Sequence, residues 1–146
     1  MTVTDPLVKS VLVPVDPAAA FALFTDRIAE WWPLETHSVW AADAAGVRVE
    51  EGVGGHVVET HRDGRTSVWG TVTRWDPPRA VAFTWHPGRP EHEATHVTVR
   101  FAPAGEGTRV ELTHGGWEAR DDSAFARVGY DRGWEVVLGH LARHVA

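Results

Sequence analysis

Three regimes of hydrophobic spacing divide the 146-residue chain. The run from Leu7 to Val15 is rich in Val and Leu and closes at Pro14, which predicts a strand. Asp16-Pro17 follows, an N-cap acceptor with proline at the first helical position. From Ala18 to Phe24, Phe21 and Phe24 stand three apart. Ile28 and Trp31 extend that spacing until Pro33 stops it, predicting two short helical turns that end at Trp31-Trp32-Pro33. Between Gly46 and His114 the period changes to two, and six strands are predicted: Val47 to Glu51, Gly55 to His61, Thr66 to Trp75, Ala80 to His86, Thr95 to Ala102 and Thr108 to His114. The Asp63-Gly64 pair and Asp76-Pro77-Pro78-Arg79 mark turns between them. Parity groups Trp69 with Trp75 on one strand and Val81, Phe83 and Trp85 on the next; on the following strand Val97, Val99 and Phe101 oppose Thr98 and Arg100. The helical period returns from Asp121 to Val145, where Trp134, Leu138, Leu141 and Val145 form one apolar stripe. Gly129 and Gly133 interrupt this helix, each costing about 1 kcal/mol relative to Ala, so a close approach to the sheet or to a ligand is expected there.

This order predicts an α+β fold: strand, two short helices, six antiparallel strands, and a long C-terminal helix on the concave side of the curved sheet. A bent sheet gripping one helix leaves an internal cavity. Composition agrees with one globular domain over residues 1–146: 43% of residues are hydrophobic and 23% charged, and there is no cysteine. The missing cysteine excludes a disulfide scaffold, a thiolate metal site and a cysteine nucleophile. A formal charge of −6 without long single-sign runs argues against nucleic acid and against an anionic membrane as partners. Met1 to Pro6 shows no basic stretch followed by an apolar core, so a cytoplasmic protein is expected. Eight Trp residues are the unusual feature, because large aromatics line ligand cavities and interfaces.

Particular residues sharpen the picture. Asp16-Pro17, Trp31-Trp32-Pro33, Gly54-Gly55, the run Trp69-Gly70-Thr71-Val72 leading to Asp76-Pro77-Pro78-Arg79, and Phe83-Thr84-Trp85 occur in an order that resembles the SRPBCC (START-like, birch-pollen-allergen-like) superfamily. Gly107-Thr108-Arg109-Val110-Glu111-Leu112-Thr113-His114, and Gly133-Trp134 followed by Leu138 and Leu141, extend the likeness over nearly the whole chain. Within the superfamily the sequence is most similar to the bacterial homologues of the activator of the ninety-kilodalton heat-shock-protein ATPase. The resemblance implies a helix-grip fold with a deep hydrophobic cavity, in a superfamily that includes lipid and hormone carriers, polyketide cyclases and co-chaperone modules. The chain starts almost at its first strand, so ligand binding is expected ahead of co-chaperone activity.

Trp32, Trp69, Trp85, Trp117, Tyr130 and Trp134 are the expected cavity lining, Trp32 and Trp117 standing where the resemblance places the cavity mouth. Three functions compete. The first is binding of a small apolar molecule, with no cofactor. The second is a cofactor-free enzyme of the cyclase, dehydratase or hydrolase kind, with Glu59, His61 or Arg100 as weak catalytic candidates; Glu59 and His61 share strand parity and would form a general-base pair. The third is a chaperone-associated interaction module, and a homodimer is left open. His92-Glu93-Ala94-Thr95-His96 matches a zinc-protease pattern, but on or entering a strand its two His would lie about 13 Å apart, too far to share an ion. His140 and His144 stand four apart on the last helix, where a solvated face is expected rather than a metal site. No phosphate loop, nucleophile elbow or dinucleotide fingerprint is present.

Overall fold

The computed structural model describes residues 5–146. Met1 to Thr4, which belong to the segment read as free of a targeting signal, lie outside the described residues. Seven antiparallel strands form one sheet: β1 (Leu7–Val13), β2 (Ala44–Val49), β3 (His56–His61), β4 (Thr66–Asp76), β5 (Ala80–Trp85), β6 (Thr95–Ala104) and β7 (Gly107–Gly115). Their order across the sheet is β1-β7-β6-β5-β4-β3-β2, so β2 to β7 run as a meander and β1 closes against the last strand. The sheet curls into a half-barrel that grips the long helix α2 (Ser123–His144), while the short helix α1 (Pro17–Phe24) packs at one end. The expected helix-grip architecture is therefore present.

Local chemistry explains the elements. Asp16 caps α1, its Oδ1 accepting from the Ala19 amide at 2.8 Å, and Pro17 occupies the first turn, where a missing N–H costs nothing. Ile28–Glu30 forms a 3-10 turn rather than a further stretch of α-helix, and Trp31 and Trp32 follow it. Strand β2 begins at Ala44, earlier than its β-branched residues indicate, because the 3-10 turn Ala41–Asp43 delivers the chain alongside β3.

Two register shifts in β4 decide which side chains face inward. The first, against β3, leaves Trp69 without a partner between Val57↔Gly70 and Val58↔Val68; the second, against β5, falls between Val72 and Arg74. Strict alternation would turn Val72 away from Trp69. With the shifts, Trp69 and Val72 are both buried, and Trp75 still reaches the core, its ring 5.2 Å from that of Phe21. Gly70 makes this possible, since a Cβ there would collide with the Thr84 carbonyl oxygen. The inner layer is completed by Val81, Phe83, Val97, Val99, Phe101, Val110 and Leu112 from the sheet, and by Trp134, Val137, Leu138 and Leu141 from α2. No helix among the described residues is long and apolar enough to cross a membrane.

Candidate functional site: a cavity walled by tryptophan

Four indoles from four parts of the chain meet between sheet and helix. Trp32 follows the first 3-10 turn, Trp69 and Trp85 stand on neighbouring strands, and Trp134 projects from α2. Their ring centroids lie 5.3 Å (Trp32 and Trp69), 5.7 Å (Trp69 and Trp85), 5.4 Å (Trp85 and Trp134) and 5.9 Å (Trp134 and Trp32) apart, a closed circuit of tilted and edge-on contacts that ring quadrupoles favour. Tyr130, one turn earlier on α2, stacks on Trp134 at 6.2 Å. Together these five rings border a cavity of about 380 Å³. Gly133 and Val137 of α2, the loop 36–39, and Pro87-Gly88 after β5 complete its wall.

At Gly133 an added Cβ would meet the His37 ring at 3.8 Å, an ordinary van der Waals contact, so this position faces His37 across the cavity wall without requiring glycine. Gly129 faces open space and nothing in the structure explains it. Across the mouth, Val39 and Gly88 approach each other, a Cβ on Gly88 falling 3.7 Å from Val39 Cγ2.

Buried polar groups hold the walls in place. Glu59 is fully buried on β3; its Oε1 accepts from the Val39 amide at 2.8 Å and from Trp69 Nε1 at 2.9 Å, and its Oε2 accepts from the Trp40 amide at 3.0 Å. A carboxylate out of water needs such donors, and these three fasten the mouth loop to the sheet and fix the Trp69 ring. His114 on β7 is also fully buried. Its Nδ1 accepts from Trp134 Nε1 at 2.9 Å, so Nε2 carries the proton toward Thr95 Oγ1 at 2.6 Å, and that hydroxyl in turn donates to the Trp85 carbonyl at 3.1 Å. Burial pushes the His114 pKa down to about 3, so the ring stays neutral and keeps Trp134 oriented.

Trp32 Nε1 donates to the His37 carbonyl at 2.8 Å. Trp85 differs from its neighbours: its Nε1 is buried without a hydrogen bond of proper geometry among the described residues, although it is near enough to the Tyr130 hydroxyl to favour the phenolate. Burial nevertheless dominates and raises the Tyr130 pKa, against the opposing effects of Arg120, Trp85 and Arg89. Both guanidinium groups are matched by carboxylates. Arg120 clasps Asp122 with two contacts of 2.8 Å, and Arg89 reaches Asp122 at 2.7 Å and Glu93 at 3.2 Å. Among the lining residues, His37 and Tyr130 are the ones that titrate. Burial first, and then the charge of His140, lowers the His37 pKa, and its Nδ1 lies 2.7 Å from Thr36 Oγ1.

Five of the six expected lining residues, Trp32, Trp69, Trp85, Tyr130 and Trp134, are brought together at this cavity. Trp117 is not among the lining residues; it is fully buried with Leu7 and Ala126, its N–H on the His114 carbonyl at 3.1 Å, and it backs Tyr130 from behind. The acid-base candidates are dispersed. Glu59 is saturated by its three donors, and His61 sits at the end of β3 against Trp40 and Asp63, away from the cavity lining. Arg100 is exposed on the outer face of β6, as the two-residue period of Val97, Val99 and Phe101 requires.

The zinc-protease pattern has no helix: His92 lies in the 3-10 turn Glu91–Glu93 and His96 on β6. His144 pairs with Glu30 at 3.1 Å, while His140 bears on His37. Sequence reasoning missed the loop 36–39 and Pro87-Gly88, which carry no periodicity.

The chain has no match among curated proteins. Among solved structures it resembles an anthrahydroquino-γ-pyrone synthase, Txn09, complexed with SUM, with 32% identity over 99% of this chain and 98% of that chain and a TM-score of 0.63. It is similar in fold to CalU16 from Micromonospora echinospora (20% identity, 97% of this chain and 76% of that one, TM-score 0.66). It also resembles the Aha1 dimer from Colwellia psychrerythraea (20% identity, 96% and 95%, TM-score 0.65). The profile described as Activator of Hsp90 ATPase homolog 1-like protein matches residues 14–146, from the end of β1 through the whole of α2. A match over that span, on a sheet that grips its last helix around a cavity, places the chain in the family of Activator of Hsp90 ATPase homolog 1-like proteins, within the SRPBCC superfamily.

Proposed function

We propose that the chain binds a small, planar, largely apolar molecule in the tryptophan-walled cavity. The observation that carries this reading is the lining itself: five aromatic rings border about 380 Å³, and no Asp, Glu, Lys or Arg is among the lining residues. Affinity would come from buried apolar area and ring stacking, and orientation from a few polar atoms. The relative named as an anthrahydroquino-γ-pyrone synthase supports an aromatic ligand.

The test is a titration of tryptophan fluorescence with fluorene, read against the variant Gly133→Leu. Saturable quenching by the wild type is expected. The leucine side chain would grow from the helix toward His37 and take up ligand space, so the variant is expected to bind at least tenfold more weakly, about 1.4 kcal/mol. Gly→Leu improves helix propensity by roughly 0.5–1 kcal/mol, so loss of folding is not the expected cause. Absence of quenching, or equal affinity in both proteins, removes the reading. Native mass spectrometry of protein purified from its own host would then identify the natural ligand.

The synthase relative and the position of His37 favour a second reading, in which the cavity also performs proton transfer without a cofactor. A neutral imidazole on the wall can accept a proton from a carbon next to a carbonyl. Wild type accelerating deuterium exchange at the α-carbon of 2-tetralone, with His37→Ala lacking that acceleration, is the expected result. Equal exchange in both would leave binding alone.

A further inference from the structure

Two titratable side chains line the cavity, and burial moves them in opposite directions. His37 of the loop 36–39 is held below the ordinary imidazole value and Tyr130 of α2 above the ordinary phenol value. Near neutrality the imidazole is therefore unprotonated and the phenol keeps its proton, a base left empty beside an acid left loaded. Hydrogen bonding leaves each with one unused group. Thr36 Oγ1 donates to the Pro33 carbonyl at 3.5 Å and so accepts from His37 Nδ1 at 2.7 Å, which frees the Nε2 lone pair. That nitrogen faces α2, where a Cβ on the lining residue Gly133 would stand 4.0 Å from it. Tyr130 is one turn earlier, about 4.5 Å along the helix axis. The groups beside its hydroxyl are Trp85 Nε1 and the Arg120 guanidinium. Both can only donate, so they serve the phenolic oxygen and neither takes its proton. Tyr130 keeps part of its surface open where it lines the cavity.

We infer that Tyr130 is the acid that works with the base His37, its hydroxyl holding and protonating the carbonyl oxygen of a bound ketone while His37 takes a proton from the adjacent carbon. The inference rests on the proton-transfer reading above and adds its second catalytic group. In the step, the electron pair of the broken C–H bond becomes the double bond of the enol, and the carbonyl π pair closes on the Tyr130 proton. The products are an enol, an imidazolium and a phenolate. The reverse step restores the ketone and both side chains, and it leaves deuterium on carbon once His37 has exchanged its proton with heavy water. Trp85 and Arg120 are positioning groups, since they touch the phenolic oxygen and favour the phenolate that forms there. Arg120 is itself held by Asp122 through two contacts of 2.8 Å. No Asp, Glu, Lys or Arg lines the cavity, so His37 and Tyr130 supply its acid-base chemistry between them.

Tyr130 is the only tyrosine in the chain, so growth on 3-fluorotyrosine places a single fluorine label at the proposed acid in an otherwise unchanged protein. The fluorine resonance of the labelled full chain is expected to shift with 2-tetralone and much less with tetralin, which lacks the oxygen. Deuterium exchange at the α-carbon of 2-tetralone is then compared in wild type, His37→Ala and Tyr130→Phe. The phenylalanine ring still walls the cavity, so Tyr130→Phe is expected to lose about a hundredfold, mainly in kcat rather than KM. Equal resonance shifts with the two compounds would overturn the role of Tyr130. So would wild-type kcat in Tyr130→Phe beside a loss in His37→Ala, which leaves His37 as a lone base. A wild type that does not accelerate exchange, or a His37→Ala variant equal to it, overturns the proton-transfer reading and this inference together.

Discussion

Glu59 carries more of the site than its position on an interior strand advertises, because one carboxylate answers two loop amides and an indole. Glu59→Gln puts an amide donor where only donors point, so it is expected to cost about 1–3 kcal/mol in urea unfolding and to shift the fluorescence of Trp69. A structure of the variant with the loop 36–39 undisturbed would contradict this role. His114 makes a prediction about pH. Its folded pKa of about 3 lies below the ordinary value of 6.5, so the unfolded chain binds the extra proton in between. The stability due to neutral His114 is complete above pH 6.5 and falls as pH drops toward 3, by at most about 1.4 kcal/mol per pH unit. His37, also lowered, acts in the same direction. Urea midpoints of wild type and His114→Gln between pH 6.5 and 4.5 should converge as pH falls; parallel curves would show that His114 does not titrate on unfolding.

At the scale of elements, β4 is the strand on which the cavity depends. Its two register shifts turn Trp69 and Val72 inward together, and Gly70 lets Thr84 come close enough for its Oγ1 to accept from the Thr71 amide at 2.9 Å. Gly70→Ala cannot be absorbed by a side-chain adjustment, because the clash is with backbone. A loss of roughly 2–4 kcal/mol is expected by thermal or urea unfolding, in the upper range for a single substitution; a loss under about 0.5 kcal/mol would mean that the strand repairs itself elsewhere. The first helix obeys simpler rules. Asp16→Ala removes an acceptor from the Ala19 amide and should cost about 1 kcal/mol, with the fold intact.

On the scale of the whole molecule, sheet and α2 act as two jaws, and the aromatic rings hold them apart as much as together. The alternation of β5, β6 and β7, the cap at Asp16, the stripe Trp134, Leu138 and Leu141, and hence the helix-grip order were legible because each is set by neighbours a few residues apart. Trp69, Trp85, Tyr130 and Trp134 were legible for the same reason, since parity and helical spacing say which face a ring takes, whereas Trp32 was placed by the family resemblance. What neither spacing nor resemblance could say is where a ring outside the regular elements ends up: Trp117, expected at the cavity mouth, lies in the cluster behind Tyr130. Nor could they reveal that Glu59, a plausible base by its strand face, is consumed by amides 20 and 19 residues away. The sequence by itself determined the elements, their order and the supply of aromatic rings, all consequences of local covalent geometry and burial. Only the tertiary structure decided which hydrogen-bonding groups were used up, as Glu59 is by two loop amides and an indole, because pairing depends on distances between segments remote along the chain.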